Sequence, residues 1–288
     1  MAANLGRRVG FAAVAIPAAL GLVYFGGWVL ATLVALIGVL GVKELFGFVP
    51  AKDIGPMALP GFLSAAAIGP LVYSVLAEPA ATRFWAAWWP YAGALWLILV
   101  LIWVLTTRPP DGHPLEAAST TVLAVLYAAA LPAFILVLRH AHYPTASWAG
   151  TWLVFFPLIV IWICDSFAMF GGMLIGGPKL SPVVSPGKTR SGGIAGIVGA
   201  VIVGAVFGWW VFPAAGVDAR PVGALVIAFV LSIVGQLGDL LESLFKRGAG
   251  VKDSGTLIPG HGGILDRFDS LYFALPVCAF LYRVLGVA

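Results

Sequence analysis

The residues best suited to binding or catalysis in this sequence lie between Ser243 and Asp269, in the stretch SLFKRGAGVKDSGTLIPGHGGILDRFD. Only 10% of the chain is charged. This one stretch nevertheless contains four cations, three aspartates and a histidine: Lys246, Arg247, Lys252, Arg267, Asp253, Asp266, Asp269 and His261. Charge beside apolar, membrane-like sequence is costly to place and usually functional. Carboxylates next to cations and a glycine-rich loop fit a metal–phosphate site, because hard oxygen ligands suit Mg²⁺.

The segment just before this stretch predicts a helix that carries part of the same site. Asp239, Ser243 and Lys246 follow one another at intervals of four and three residues, so they share one helical face. Glu242 stands four residues before Lys246, a spacing that also suits an ordinary helical ion pair. Asp266 and Asp269 likewise share a face, and the dipole of a following helix would also stabilise them there. We expect His261 to position a ligand or make hydrogen bonds rather than bind metal.

A second polar segment covers residues 176–193, GGPKLSPVVSPGKTRSGG. Ser185, Lys188 and Thr189 are similar to part of a nucleotide-binding P-loop, but the upstream glycine spacing and the preceding strand are missing, which excludes that motif. Backbone N–H groups, hydroxyls and a lysine before a helix still fit a phosphate cradle. A solvated basic loop remains the alternative.

A third polar position is Asp165, within or at the end of an apolar segment. An ionisable group in that setting costs roughly 2.5–3.5 kcal/mol on insertion scales and usually has a use. A carboxylate that reaches water from a helix end is the alternative.

The apolar segments that must position these residues predict an all-α, polytopic membrane protein. Hydrophobic residues make up 61% of the 288 residues, and the mean hydropathy is +1.03. Apolar runs of roughly 17–25 residues can each cross a bilayer. They predict nine transmembrane helices, near residues 9–25, 28–48, 57–77, 85–106, 117–139, 148–172, 192–212, 222–245 and 270–287. The split between the first two rests on Gly26 and Gly27. The lack of period-two alternation argues against an outer-membrane barrel.

The polar motifs gather in the second half of the chain. We therefore expect a transmembrane scaffold over residues 1–150 and a catalytic transmembrane region with cytoplasmic loops over residues 151–288. With nine helices, one side of the membrane holds twelve of the 16 Lys and Arg residues and the other holds four, Arg83, Arg139, Arg220 and Arg283. This asymmetry predicts a cytoplasmic N-terminus and charged loops that face the cytoplasm from the inner membrane. The pI of about 9.2 indicates anionic lipid or phosphate as partner, with no nucleic-acid module in the sequence.

The stretch from Ser243 to Asp269 resembles the signature of the phosphatidate cytidylyltransferases, or CDP-diacylglycerol synthases. That signature reads Ser-x-apolar-Lys-Arg, four residues, Lys-Asp-x-Gly, then Pro-x-His-Gly-Gly and Asp-Arg-x-Asp, and every fixed position is present. Residues 185–189 and 238–240 are also similar to the family, and the resemblance extends over about residues 160–275. Two departures exist. Arg190 and Ser191 stand where the family usually has Trp-Glu, and Met173 replaces a common arginine.

The resemblance implies an enzyme that converts CTP and phosphatidate into CDP-diacylglycerol and pyrophosphate, with Mg²⁺, a plausible second cation and a homodimeric state. It implies Asp239 and Asp266 as leading metal ligands, with Asp269 and Asp165 behind them. Phosphate groups would be held by residues of two segments. The C-terminal stretch would supply Lys246, Arg247, Lys252, Arg267, Asp253 and Ser243, and the segment 176–193 would supply Ser185, Lys188 and Thr189. His261 and its glycines would cover the CTP site.

Two alternatives stay open from the sequence. A related enzyme could use another lipid phosphate, such as an ether-linked isoprenoid lipid, because apolar helices accept either kind of tail. A non-enzymatic transporter could use Asp165 and Asp239 to carry ions. Inverted repeats would favour the transporter, and the sequence shows none.

Overall fold

A computed structural model describes residues 17–49, 55–257 and 262–287 of the chain. Within these residues, eight helices are long and apolar enough to cross a membrane. The predicted all-α, polytopic architecture is therefore confirmed. The number of nine helices stays a prediction, because residues 9–16 of the first predicted helix lie outside the described residues. The side of the membrane on which the N-terminus lies also stays a prediction.

The elements follow one another along the chain with short connections. Their bounds are α1 (17–25, as far as it is described), α2 (Gly27–Phe46), α3 (Ala58–Ala77), α4 (Pro79–Thr107), α5 (Pro114–Val125), α6 (Phe134–His140), α7 (Trp148–Ile175), β1 (Lys179–Ser181), β2 (Ser185–Thr189), α8 (Arg190–Val206), α9 (Phe212–Ala215), α10 (Pro221–Gly248) and α11 (Leu265–Leu285). Single π-helical turns at Leu126–Ala130 and Phe207–Val211 follow α5 and α8. Despite these turns, Pro114–His140 and Arg190–Ala215 are each long and apolar enough to cross a membrane as one unit.

The chain turns between α1 and α2 at the predicted glycine pair. Gly26 and Gly27 have φ angles of 59° and 61°, in the left-handed region that favours glycine. Arg139, fully buried in α6, donates to the carbonyl oxygens of Val23 and Tyr24 at 2.6 and 2.7 Å. These bonds satisfy a charged group that would otherwise be costly to bury. They fix the end of the bundle opposite the charged loops.

Close helix packing brings the polar motifs of the second half together. A Cβ at Gly196 would lie 2.9 Å from the carbonyl oxygen of Cys164, so glycine lets α8 lie directly against α7. A Cβ at Gly238 would lie 2.7 Å from the carbonyl oxygen of Asp269, and its absence brings α10 against the start of α11. Small residues at helix contacts are typical of membrane bundles. The same contact brings the backbone at Asp269 beside the turn of α10 that carries Asp239.

Between α7 and α8 the chain forms a hairpin rather than the irregular loop we expected. Strands β1 and β2 pair antiparallel, with Lys179 opposite Thr189 and Ser181 opposite Ser185. Gly176 and Gly177, at φ 66° and 100°, turn the chain out of α7 into β1. This short hairpin is unlike the strand that precedes a P-loop, so the exclusion of that motif stands.

Candidate active site

A cavity of about 510 Å³ lies where α7, the hairpin, the start of α8 and the middle of α10 meet. Its walls combine carboxylates, lysines and hydroxyls with apolar side chains. They include Asp165, Met169, Met173, Lys179, Leu180, Lys188, Thr189, Gln236 and Asp239. Asp165 and the segment 176–193 therefore line one cavity together with Gln236 and Asp239, which precede the stretch from Ser243 to Asp269 on α10.

The central contact of the cavity joins the hairpin to α10. The ammonium group of Lys188 forms an ion pair with the carboxylate of Asp239, and the two side chains are 28% and 25% exposed. Ser243, one turn later on α10, lies with its hydroxyl 3.4 Å from the other Asp239 oxygen. The predicted shared face of Asp239 and Ser243 is thus confirmed. Because both charges remain reachable from the cavity, an incoming phosphate can compete for Lys188.

The end of the hairpin is fixed by hydroxyl groups. Thr189 caps α8 by accepting a hydrogen bond from the backbone N–H of Gly192 at 3.1 Å. Ser191, at one of the positions where the chain departs from the family pattern, donates to the carbonyl oxygen of Gly176. That bond ties the end of α7 to the start of α8. The departure at Ser191 therefore has a structural role in shaping the cavity.

Lys246 lies at the centre of a second charged group, deeper in the protein. Its ammonium nitrogen is 3.2 Å from Glu242 Oε1 and 2.6 Å from Asp266 Oδ1. Lys246 is 13% exposed and Glu242 is fully buried. The helical ion pair expected between Glu242 and Lys246 is confirmed. Lys246 also links α10 to the first turn of α11, so it holds Asp266 in place.

The Asp266 carboxylate is held from several directions besides Lys246. Its Oδ2 accepts hydrogen bonds from the backbone N–H groups of Ser254 and Gly263 at 2.8 and 2.9 Å. Gly262 turns the chain here at φ 78°, where a side chain would be strained. Asp269, one turn on, accepts from the backbone N–H of Ser270 at 2.6 Å. The signature glycines thus place Asp266 at the start of α11.

The four predicted metal ligands lie in one region but do not form a ready-made cage. Asp165 and Asp239 line the cavity, and the backbone of Asp269 packs against Gly238, next to Asp239. Within residues 17–49, 55–257 and 262–287, no three His, Cys, Asp or Glu side chains converge closely enough to hold a metal by themselves. Mg²⁺ is commonly bound by one or two carboxylates and completed by substrate phosphates and water. The oxygen donors here fit that mode of binding.

The remaining predicted residues lie around this centre. Arg247 is exposed, and its Nε lies 3.5 Å from the carbonyl oxygen of Val184 in the hairpin turn. Lys252, Asp253 and Arg267 are exposed on the loop after α10 and the start of α11. Ser185 opens β2 opposite Ser181. His261 lies outside the described residues.

Sequence reasoning missed Glu44, on α2 in the N-terminal half. Its carboxylate accepts hydrogen bonds at the start of α11, and it lies against Ser254, which also contacts Asp266. A signal was present, since Glu44 is a carboxylate in the last turn of an apolar helix, as noteworthy as Asp165. Gln236 was also given no role, although it lines the cavity and donates to the Gly193 carbonyl oxygen at 3.3 Å.

Comparisons with known proteins identify the family of the chain. A family model described as "Cytidylyltransferase family" matches residues 6–285. A protein of Synechocystis sp. is 33% identical over 293 residues, which cover 94% of each chain. One from Bacillus subtilis is 34% identical over 258 residues, or 88% of each chain, and one from Staphylococcus haemolyticus is 33% identical over 266 residues, or 92% of this chain and 94% of its own. All three relatives are named phosphatidate cytidylyltransferase.

Proposed function

We propose that this chain, which belongs to the cytidylyltransferase family, transfers the cytidylyl group of CTP to phosphatidate and releases pyrophosphate. The observation that carries the proposal is the meeting of Lys188, from the hairpin, with Asp239, from α10, in one cavity. A phosphate-binding lysine and a candidate metal-binding carboxylate are the two groups that a phosphoryl-transfer centre needs side by side. The relatives that cover most of the chain carry the same activity in their names.

The cavity suits a lipid as one of the two substrates. Met169, Met173 and Leu180 line it and are exposed, and Leu174 and Ile175 extend the same apolar surface at the end of α7. Acyl chains can lie on this surface while the phosphate reaches Lys188. Met173 is the position where the family commonly has arginine. An apolar side chain there favours tail contact over phosphate contact.

The reaction needs no protein nucleophile. A phosphate oxygen of phosphatidate attacks the α-phosphorus of CTP, and the bond from that phosphorus to the bridging oxygen of the β-phosphate breaks. Pyrophosphate leaves with the bonding electrons. Catalysis then consists of alignment of the two phosphates and stabilisation of the charge that develops on their oxygens. Lys188 fits the role of aligning the attacking phosphate.

The triphosphate fits the cations beside the cavity. Arg247, Lys252 and Arg267 are exposed where α10 ends and α11 begins. Arginine can contact two phosphate oxygens at once. Lys246 is already paired with two carboxylates, so its part is to hold Asp266 at least as much as to contact CTP. Ser185, Ser243, Asp253 and Thr189 remain proposed substrate contacts, and His261 a proposed cover.

We propose Asp239 and Asp266 as the leading ligands of Mg²⁺, with Asp269 and Asp165 nearby for a second cation. When bound, the metal neutralises phosphate oxygens and stabilises the pyrophosphate leaving group. Asp239 has one oxygen facing Lys188 and the other facing Ser243. These contacts orient the carboxylate towards the cavity.

The chain is a membrane protein. Its placement in the inner membrane, with a cytoplasmic N-terminus and the charged loops facing the cytoplasm, is proposed from the distribution of basic residues. That orientation gives the site access to cytoplasmic CTP. A homodimer is proposed from family resemblance alone.

The test is a mixed-micelle assay with purified protein, cytidine-labelled CTP and either phosphatidate or diacylglycerol. We expect label in the lipid fraction with phosphatidate and Mg²⁺, and none after chelation of the metal. Diacylglycerol lacks the attacking phosphate and should give none. Absence of transfer to phosphatidate by folded protein would refute the proposal. A parallel assay with an ether-linked isoprenoid lipid phosphate tests the alternative substrate class.

A further inference from the structure

Glu44 occupies a position that its own helix does not favour. It lies in the last turn of α2, near the negative end of the helix dipole, where a carboxylate is destabilising. At the start of α11, the N-cap residue is Ile264, whose apolar side chain makes no capping hydrogen bond. The first N–H groups of a helix need acceptors from elsewhere. Glu44 and the start of α11 thus complement each other.

The contacts show this complementarity directly. The Oε1 atom of Glu44 accepts a hydrogen bond from the Ile264 N–H at 2.8 Å, and its Oε2 accepts one from the Leu265 N–H at 2.9 Å. These two bonds cap α11 from a helix more than 200 residues earlier in the chain. Bonds to a charged acceptor at a helix N-terminus are among the stronger hydrogen bonds in proteins.

Ser254 connects this cap to the candidate active site. Its hydroxyl oxygen lies 2.8 Å from Glu44 Oε2 and 2.8 Å from Asp266 Oδ2. A serine hydroxyl carries a single proton, so the two carboxylates share one donor. Movement of Glu44 would therefore change the position and the hydrogen bonding of Ser254, which contacts Asp266.

Two signature glycines leave the room that Glu44 occupies. A Cβ at Gly255 would lie 2.9 Å from Glu44 Oε1, and one at Gly263 would overlap the Glu44 carboxylate. Glycine is needed at these two positions because the backbone there lies directly against the Glu44 side chain. Ser254, Gly255 and Gly263 thus all contact a side chain from the N-terminal half of the chain.

We infer that Glu44 is a positioning residue for cytidylyl transfer, which holds Ser254 beside the backbone of Ile264 and Leu265 at the start of α11 and so fixes Asp266. The inference rests on the proposed function for its kinetic consequence. Glu44 does not line the cavity, so its loss affects the alignment of reacting groups more than lipid binding. The first half of the chain then contributes to turnover as well as to the scaffold.

The test uses Glu44→Gln in the full-length protein, in phosphatidate mixed micelles. Glutamine keeps the shape but turns one acceptor into a donor that faces another donor. We expect kcat to fall by about 10- to 100-fold, the range for loss of a hydrogen bond to a charged group. The KM for phosphatidate should change by less than about twofold. Glu116→Gln, at an exposed glutamate in the first turn of α5, is the matched control and should behave as the parent.

Hydrogen exchange provides a readout that does not depend on turnover. Glu44→Gln should speed amide exchange in residues 249–267 and leave residues 179–189, in the hairpin, as in the parent. Ser254→Ala cuts the link to Asp266 without altering α2 and should lower kcat in the same direction. Because the two residues share one network, the double variant should lose less than the product of the single effects.

Three results would overturn the inference. They are a kcat for Glu44→Gln within twofold of the parent, faster exchange in the hairpin as well as the loop, and multiplicative effects in the double variant. A parent protein that transfers no cytidylyl group would refute the proposed function instead. In that case the exchange experiment still decides whether Glu44 anchors the loop.

Discussion

Replacement of Lys246 by methionine tests how much the stability of the buried charged group of Lys246, Glu242 and Asp266 depends on the lysine ammonium. In the native protein this ammonium lies 3.2 Å from Glu242 and 2.6 Å from Asp266, and Glu242 has no exposed surface. Neither Glu242 oxygen has another hydrogen-bond partner among the described residues. Lys246→Met keeps the apolar stem and removes only the charge. Glu242 is then a buried carboxylate without a countercharge.

The expected cost follows from that burial. Breaking a buried pair by removal of one partner costs about 3–5 kcal/mol. For chains of roughly 150–250 residues, each kcal/mol lowers the melting temperature by about 2–4 °C, so a fall on the order of 10 °C is expected here. Glu242→Gln combined with Lys246→Met removes both charges, and should recover most of the lost stability.

The assay is thermal unfolding in one detergent, with turnover measured on the same samples. The double variant should regain melting temperature but not activity, because Asp266 still lacks its ammonium partner. Lys43→Met, at an exposed lysine of α2, is the matched control and should melt with the parent. If Lys246→Met melts within about 2 °C of the parent, the buried pair does not have the energetic role assigned to it. Recovery of turnover in the double variant would separately refute the support of Asp266 by Lys246.

Three further predictions concern the cavity. Asp239→Asn should lower turnover by about 10³-fold or more, as expected for loss of a charge that acts on the transition state. The melting temperature should not change. Residual activity above a tenth of the parent would remove Asp239 from the metal site. Lys188→Ala should raise the apparent KM for CTP or phosphatidate by about tenfold, the effect of one charge-assisted contact. Unchanged kinetics would mean that the hairpin is solvated and binds no substrate phosphate. Thr189→Ala should cost about 1 kcal/mol of stability through loss of the α8 cap, whereas Thr189→Ser should not, and equal unfolding of the two variants would contradict the capping role.

The sequence was sufficient for the features that depend on local spacing. Apolar run length located eight of the helices, with ends that differ from the structure by up to six residues, because each run must span the same bilayer thickness. Helical periodicity placed Ser243 beside Asp239 and Glu242 beside Lys246, and both contacts are present. The meeting of the hairpin with α10 followed only from family resemblance, since no local rule brings Lys188 to Asp239.

The features that sequence reasoning missed are long-range or depend on backbone geometry. The hairpin at Lys179–Thr189 was expected as a loop, because its prolines and glycines mask short strand pairing. Glu44 contacts a segment more than 200 residues away, and nothing in its neighbourhood on α2 indicates a partner. The available clue was that the helix dipole destabilises a carboxylate at the C-terminal end of an apolar helix. The four proposed metal ligands come from three separate helices, so their relative distances could not be read from spacing.

We propose that the α-phosphorus of CTP is transferred to a lipid phosphate in the cavity that Lys188 and Asp239 line. The most direct measurement compares CTP labelled with ³²P at the α- or the γ-position, in phosphatidate micelles with the parent protein and Asp239→Asn. We expect α-label to enter the lipid fraction, γ-label to be released only as pyrophosphate, and Asp239→Asn to give neither product. Lipid labelled from the γ-position would indicate a kinase, and α-label transferred equally by Asp239→Asn would place the chemistry elsewhere in the protein.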